Sequence, residues 1–301
     1  MRRLFLIVPA LLVGALAWAL VTGAEMRVAA WAAGWQREFQ TGLAGSLRAL
    51  RAGEPGAVTV FLGVCFAYGF FHAVGPGHGK ILIGGYGIAR RVTLLRLAAI
   101  ALLSSLGQAV TAIVLVLGGL LVAGWTRQQL TATAETLMLP ASTVAIGLVG
   151  LWLALRGART LWRLSERRAG AGHDHGHDHD HAGCGHRHAP GLDEVERAGG
   201  TRDTLMLMAG VAIRPCSGAI LLLVLTAYMD MLPTGIAGTV AMAVGTGALT
   251  VAVAVASVFT RESTLLSLGQ DGVAVRLLPV IEVLAGIAIC LISTEMLARV
   301  I

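Results

Sequence analysis

Seven apolar segments, at roughly 4–22, 57–75, 97–120, 139–157, 205–229, 236–258 and 278–298, constrain this chain more than any other feature. Each is close to the ~20 residues that a membrane-spanning helix needs. Only 13% of the residues are charged, about half the share of a soluble domain. The mean hydropathy is +0.76. Together these predict an all-α integral membrane protein with about seven transmembrane helices. Arg2 and Arg3, the apolar run after them and the small residues at Thr22–Ala24 also fit a signal peptide. The long apolar run favours an uncleaved first span; cleavage would leave six.

Arginine placement sets the expected orientation. Arg2 and Arg3 precede the first segment, and Lys80, Arg90 and Arg91 follow the second. Arg156, Arg159, Arg163, Arg167 and Arg168 follow the fourth, and Arg261 and Arg276 follow the sixth. These alternate ends share one side, expected to be cytoplasmic. A pI near 9.8 then reflects arginine-rich loops, and no nucleic-acid partner is expected. The lipid bilayer is the expected surroundings, and the inner membrane of a bacterium the expected location.

The expected organisation is a signal anchor or first helix over 1–22 and a periplasmic amphipathic helix over 23–56. A three-helix repeat over 57–160, a cytoplasmic loop over 161–203 and a second three-helix repeat over 204–301 follow. In 23–56, Trp31, Trp35, Phe39, Leu43, Leu47 and Leu50 recur at helical spacing. Such a helix lies on the outer membrane surface or packs on the protein's own outer face. The repeat rests on a shift of 139 residues, which places Pro76 on Pro215, Gly79 on Gly218, Thr111 on Thr250 and Pro140 on Pro279. Three helices per unit make the two copies inverted, as in secondary transporters, where Gly/Pro-broken segments in equivalent places mark the binding site.

The first broken segment is Phe70–Lys80, FFHAVGPGHGK. Of nine histidines, only His72 and His78 lie outside one polar tract. On an unbroken helix six residues turn about 600°, which leaves the two rings about 120° apart. Gly75, Pro76 and Gly77 break the helix, because proline removes a donor and glycine permits positive φ. The break can bring both rings to one site and bare backbone carbonyls beside them, a geometry tolerated at membrane depth where it lines a cavity. Imidazole suits Ni, Co, Zn and Cu. The duller alternative is a hinge with two structural histidines. A phosphate loop is excluded, since Val74 stands where GxxxxGK needs its first glycine and Ile81 follows the lysine.

The counterpart is Arg214-Pro215-Cys216-Ser217-Gly218. A charge inside a span is functional by default, although Arg214 could snorkel from near a helix end. Cys216 is either a soft ligand or a small apolar residue. Gln108 is expected to line the path. Glu282, just inside the last span, is an ion or proton ligand or an interfacial carboxylate paired with arginine. The polar tract holds His173, His175, His177, His179, His181, Cys184, His186 and His188. It cannot build a core but can bind borderline divalent metals, as an accessory collector rather than the route itself. HExxH is absent and no acid–nucleophile pair stands in the spans, so no enzyme is expected.

HAVGPGHGK, RPCSGAI and the His-rich tract together resemble the NicO family of nickel/cobalt permeases, over roughly residues 30–300. The first motif is also distantly similar to the HAxDADHI motif of another nickel/cobalt transporter family. His72, Ala73 and His78 keep that spacing, while Gly75 and Gly77 replace its acidic residues. The resemblance implies translocation of Ni2+ or Co2+, with Zn2+ as a further option, as transported substrate and with no permanent cofactor. His72, His78, Cys216 and Ser217 are the expected ligands, and Gly75, Pro76, Gly77, Gln108, Arg214, Pro215 and Glu282 the expected path. Efflux is the expected direction. Uptake, with or without a periplasmic metal-binding partner, and a membrane metal sensor are the alternatives.

Overall fold

The computed structural model describes residues 18, 22–75, 78–90, 92–170, 201–268 and 273–298. Among them every regular element is helical. The helices are α1 (Ala24–Arg51), α2 (Ala57–Val74), α3 (His78–Ala89), α4 (Leu94–Val116), α5 (Arg127–Thr133), α6 (Leu139–Gly170), α7 (Thr201–Ala212), α8 (Ser217–Tyr228), α9 (Leu232–Leu268) and α10 (Val273–Ala298). Two π-helical stretches, Leu117–Val122 and Ala134–Met138, flank α5. A capping box between Thr126 and Gln129 starts α5, satisfying donors that a helix start leaves open.

Five described helices or helix runs are long and apolar enough to cross a membrane: Ala57–Val74, Leu94–Leu120, Arg127–Glu166, Leu232–Thr264 and Pro279–Ala298. Thr204–Ala212 and Ser217–Tyr228 make a sixth span if joined, bent by 56° between them. The chain is thus a multi-pass membrane protein. Six of the expected segments coincide with these spans. The segment at 4–22 lies almost wholly outside the described residues. Val58, Val110, Val114, Leu148, Leu284 and Leu291 are exposed along the spans, as a lipid-facing surface requires.

The helices after the two breaks keep the spacing of the expected repeat. His78 and Ser217, which open the helices after the two breaks, are 139 residues apart, the shift found in the sequence. The second helices of the two units, α4 and α9, pack together, as do the third, α6 and α10. The first helix of each unit packs on the second of the other: α2 on α9, and α7 on α4. Lipid tails are as apolar as leucine, so helices in a membrane associate through close packing at small residues. Gly286 shows this: a Cβ there would lie 2.5 Å from the backbone nitrogen of Ala154 and 2.6 Å from the carbonyl oxygen of Gly150. Larger side chains at this crossing would force α6 and α10 apart.

The amphipathic helix α1 packs along α2. Ala32, Leu43 and Leu47 are buried, whereas Met26 and Trp31 stay exposed. Trp31, Trp35 and Phe39 surround Phe71, with ring centroids 5.4–5.9 Å apart. One face of α1 therefore meets the protein while another stays open.

Three of the arginines that set the orientation, Arg90, Arg156 and Arg261, gather in one place. Arg261 donates to the carbonyls of Gly87, Arg90 and Val92, tying α9 to the turn after α3. Arg90 and Arg156 both approach Glu282 Oε1, at 3.8 and 3.7 Å, and both lie near the ring of Trp152. This links α3, α6 and α10.

Candidate functional site

The site forms where both broken segments meet. The last turn of α2 carries Tyr68 and His72 on one face, because four residues are about one helical turn. Their rings lie parallel, with centroids 6.0 Å apart and planes 8° apart. Gly75 then leaves helical geometry at φ −56° and ψ 167°, and α3 begins at His78. In the second unit, Cys216 is extended at φ −71° and ψ 130° and caps the start of α8. The His72 imidazole and the Cys216 thiol face one another. The amides of Gly218 and Ala219 face the sulfur without forming a side-chain cap bond.

A cavity of about 140 Å³ opens here. Five helices and the second break contribute: His72 from α2, Lys80 from α3, Ser105 and Gln108 from α4, Ser142 and Thr143 from α6, Thr246 and Thr250 from α9, and Arg214, Pro215 and Cys216 from the break. No described aspartate or glutamate lines it. Among the described residues, no three His, Cys, Asp or Glu side chains stand close enough to hold a metal ion. His72 and Cys216 are the two described side chains of these types on the cavity wall.

The broken ends expose carbonyls, and side chains take them up. At the end of α7, Ser142 donates to Gly210 (2.6 Å), Gln108 to Val211 (3.1 Å) and Thr111 to Ala212 (2.8 Å). At the end of α2, the Lys80 ammonium donates to Val74 (3.0 Å) and to Gly75. These five carbonyls are therefore not bare.

The family described as "High-affinity nickel-transport protein", NicO, matches residues 58–191. A Haemophilus influenzae protein named "Putative nickel/cobalt efflux system" is 29% identical over 229 residues, covering 71% of this chain and 70% of the relative. The chain is thus similar to NicO proteins over the first part of its length. No solved structure matches it. The NicO match takes in the first break and the His-rich tract, and stops before Arg214–Gly218.

The expected site residues divide into groups. His72, Gln108, Arg214, Pro215 and Cys216 share the cavity. Ser217 does not line it; its hydroxyl meets that of Tyr68. Glu282 stands in the arginine cluster and is no part of the cavity wall. Gly75 is half-buried at the end of α2. Pro76, Gly77, the side chain of His78 and the tract from His173 to His188 lie outside the described residues.

Tyr68 and Lys80 were not among the expected site residues. Tyr68 is fully buried, and its hydroxyl accepts from Gln36 of α1 (3.2 Å) and lies near Ser217 and Cys216. Gly218 has no side chain where the Tyr68 ring passes, and a Cβ there would overlap the phenol. The readable signal for Tyr68 was its place one turn before His72. For Lys80 it was being the chain's single lysine.

Proposed function

We propose that this protein is a secondary transporter of Ni2+ or Co2+. The reading rests on one observation. An imidazole and a thiol, His72 and Cys216, come from equivalent breaks in two repeats and meet in one cavity. Borderline divalent ions suit this nitrogen and sulfur pair, whereas Mg2+ and Ca2+ prefer oxygen. His78 opens the helix beside His72 and completes the ligand set together with water. A site with few protein ligands lets the ion leave as well as enter, which conduction demands.

Alternating access follows from repeats that rock about a fixed site. The arginine bias puts the N-terminus and the His-rich tract in the cytoplasm of a bacterium with the protein in its inner membrane. A collector inside favours export, and the name of the Haemophilus influenzae relative supports that direction. No nucleotide motif is present, so an ion gradient or a partner protein drives the cycle. The alternative is uptake through the same site, with or without a periplasmic metal-binding protein.

Radiolabelled Ni2+ flux into inverted membrane vesicles tests this. Wild-type protein should accumulate the ion, and His72→Ala should abolish accumulation. Unchanged flux in His72→Ala and Cys216→Ala would end the site assignment. A deletion strain that accumulates less metal than its parent would end the efflux reading.

A further inference from the structure

The two breaks are built alike but finished differently. Three neutral donors, from Ser142, Gln108 and Thr111, take the last carbonyls of α7. The carbonyls of Val74 and Gly75 at the end of α2 take one ammonium group instead. At the shift of 139 residues Lys80 corresponds to Ala219, so only the first break carries a positive charge of its own at that position. An ammonium in a membrane interior is costly unless partnered. Lys80 is half-buried and lines the cavity, where no described carboxylate stands. Its charge is therefore balanced by backbone oxygens at a helix C-terminus, the end that carries partial negative charge.

Carbonyls at the ends of broken helices form the monovalent-cation sites of many secondary transporters. Here the equivalent position is already filled from within. We propose that the carbonyls of Val74 and Gly75 form a monovalent-cation site whose resident ion is the tethered Lys80 ammonium. The native protein then needs no Na+ or K+ at this position. Removing the lysine head uncovers the site for a free cation of similar charge: Na+, K+ or ammonium. Lysine also keeps the divalent ion away from these carbonyls, confining it to the His72–Cys216 side of the cavity. This deepens the transport reading, on which only the second of the two measurements below depends.

The first measurement is the thermal unfolding midpoint of the purified full chain in detergent. Choline chloride is exchanged for NaCl, KCl or NH4Cl at constant ionic strength. Wild type and Lys80→Arg should unfold at the same temperature in all four salts. Lys80→Ala and Lys80→Met should unfold earlier in choline and recover in at least one of the other salts. The second is Ni2+ flux in proteoliposomes. Lys80→Ala should fall about 10-fold in choline, the loss expected for one charge-assisted hydrogen-bond pair, and recover in the salt that restores its stability. Equal midpoints for Lys80→Ala in all four salts would overturn the proposal. So would loss of both the Ala and Met variants during purification in every salt. If wild type moves no Ni2+ but Lys80→Ala still shows a cation-dependent midpoint, the transport reading fails and the cation site stands.

Discussion

The His72 ring lies parallel to that of Tyr68, one turn earlier on α2, and faces Cys216 across the cavity. Tyr68 in turn accepts from Gln36 through its hydroxyl, which lies near Ser217 and Cys216. The proposed ligands are thus positioned by a residue that need not touch the ion. Positioning of ligands by such outer partners commonly changes metal affinity 10–100-fold.

Tyr68→Phe should keep the ring contact and lose the hydroxyl. We expect Ni2+ affinity to fall about 10-fold with the protein still folded, as checked by equilibrium binding and circular dichroism. Tyr68→Ala should cost about 3–5 kcal/mol, because the buried ring leaves a void. Ni2+ affinity in Tyr68→Phe equal to wild type would remove Tyr68 from the site.

Cys216→Ser keeps the shape of the side chain and replaces the soft donor by a hard one. Bound Co2+ should lose its near-ultraviolet thiolate charge-transfer absorption, and Ni2+ should bind more weakly relative to Mn2+. A Co2+ spectrum indistinguishable from wild type would show that the thiol is no ligand.

Glu282→Gln should lower thermal stability without removing a ligand. Its carboxylate is 10% exposed and sits between Arg90 and Arg156. Removing one member of a buried charge cluster costs about 3–5 kcal/mol. Unfolding in detergent should show this loss, while Ni2+ binding by the folded fraction should match wild type. Weakened Ni2+ binding in the folded fraction would return Glu282 to the transport path.

Deleting residues 173–188 should shift the Ni2+ concentration that gives half-maximal flux and leave the maximal rate nearly intact. Complete loss of flux would make the tract part of the route.

The spans and the repeat were legible in the sequence because each depends on patterns along the chain: apolar length for the first, and the spacing of prolines and glycines for the second. His72, Cys216, Gln108 and Arg214 could be picked out because polar groups are costly in such segments. What was not legible is where side chains point once helices pack. Glu282 and Gln108 look equally suspicious in an apolar run, yet one joins the arginine cluster and the other reaches a carbonyl of α7. The partners of the α7 carbonyls were illegible for a related reason. Ser142, Gln108 and Thr111 lie 68 to 103 residues away in sequence from the groups they satisfy, and no local pattern joins them. Lys80 was read for orientation alone, because its partners only appear once the break folds back.

The crossing of Gly150 and Gly286 bears on which parts of the molecule can move. Helices whose backbones touch cannot roll or slide without first separating, and separation forfeits the contacts that hold them together. By that rule the α6–α10 pair moves as one body, and so does the α2–α9 pair, where a Cβ on Gly69 would lie 2.0 Å from the carbonyl oxygen of Met242. Lys80, His72 and Cys216 stand at the two breaks between such bodies. The freedom left to relative movement lies in the described non-helical residues beside them, Gly75 and Ile213–Cys216.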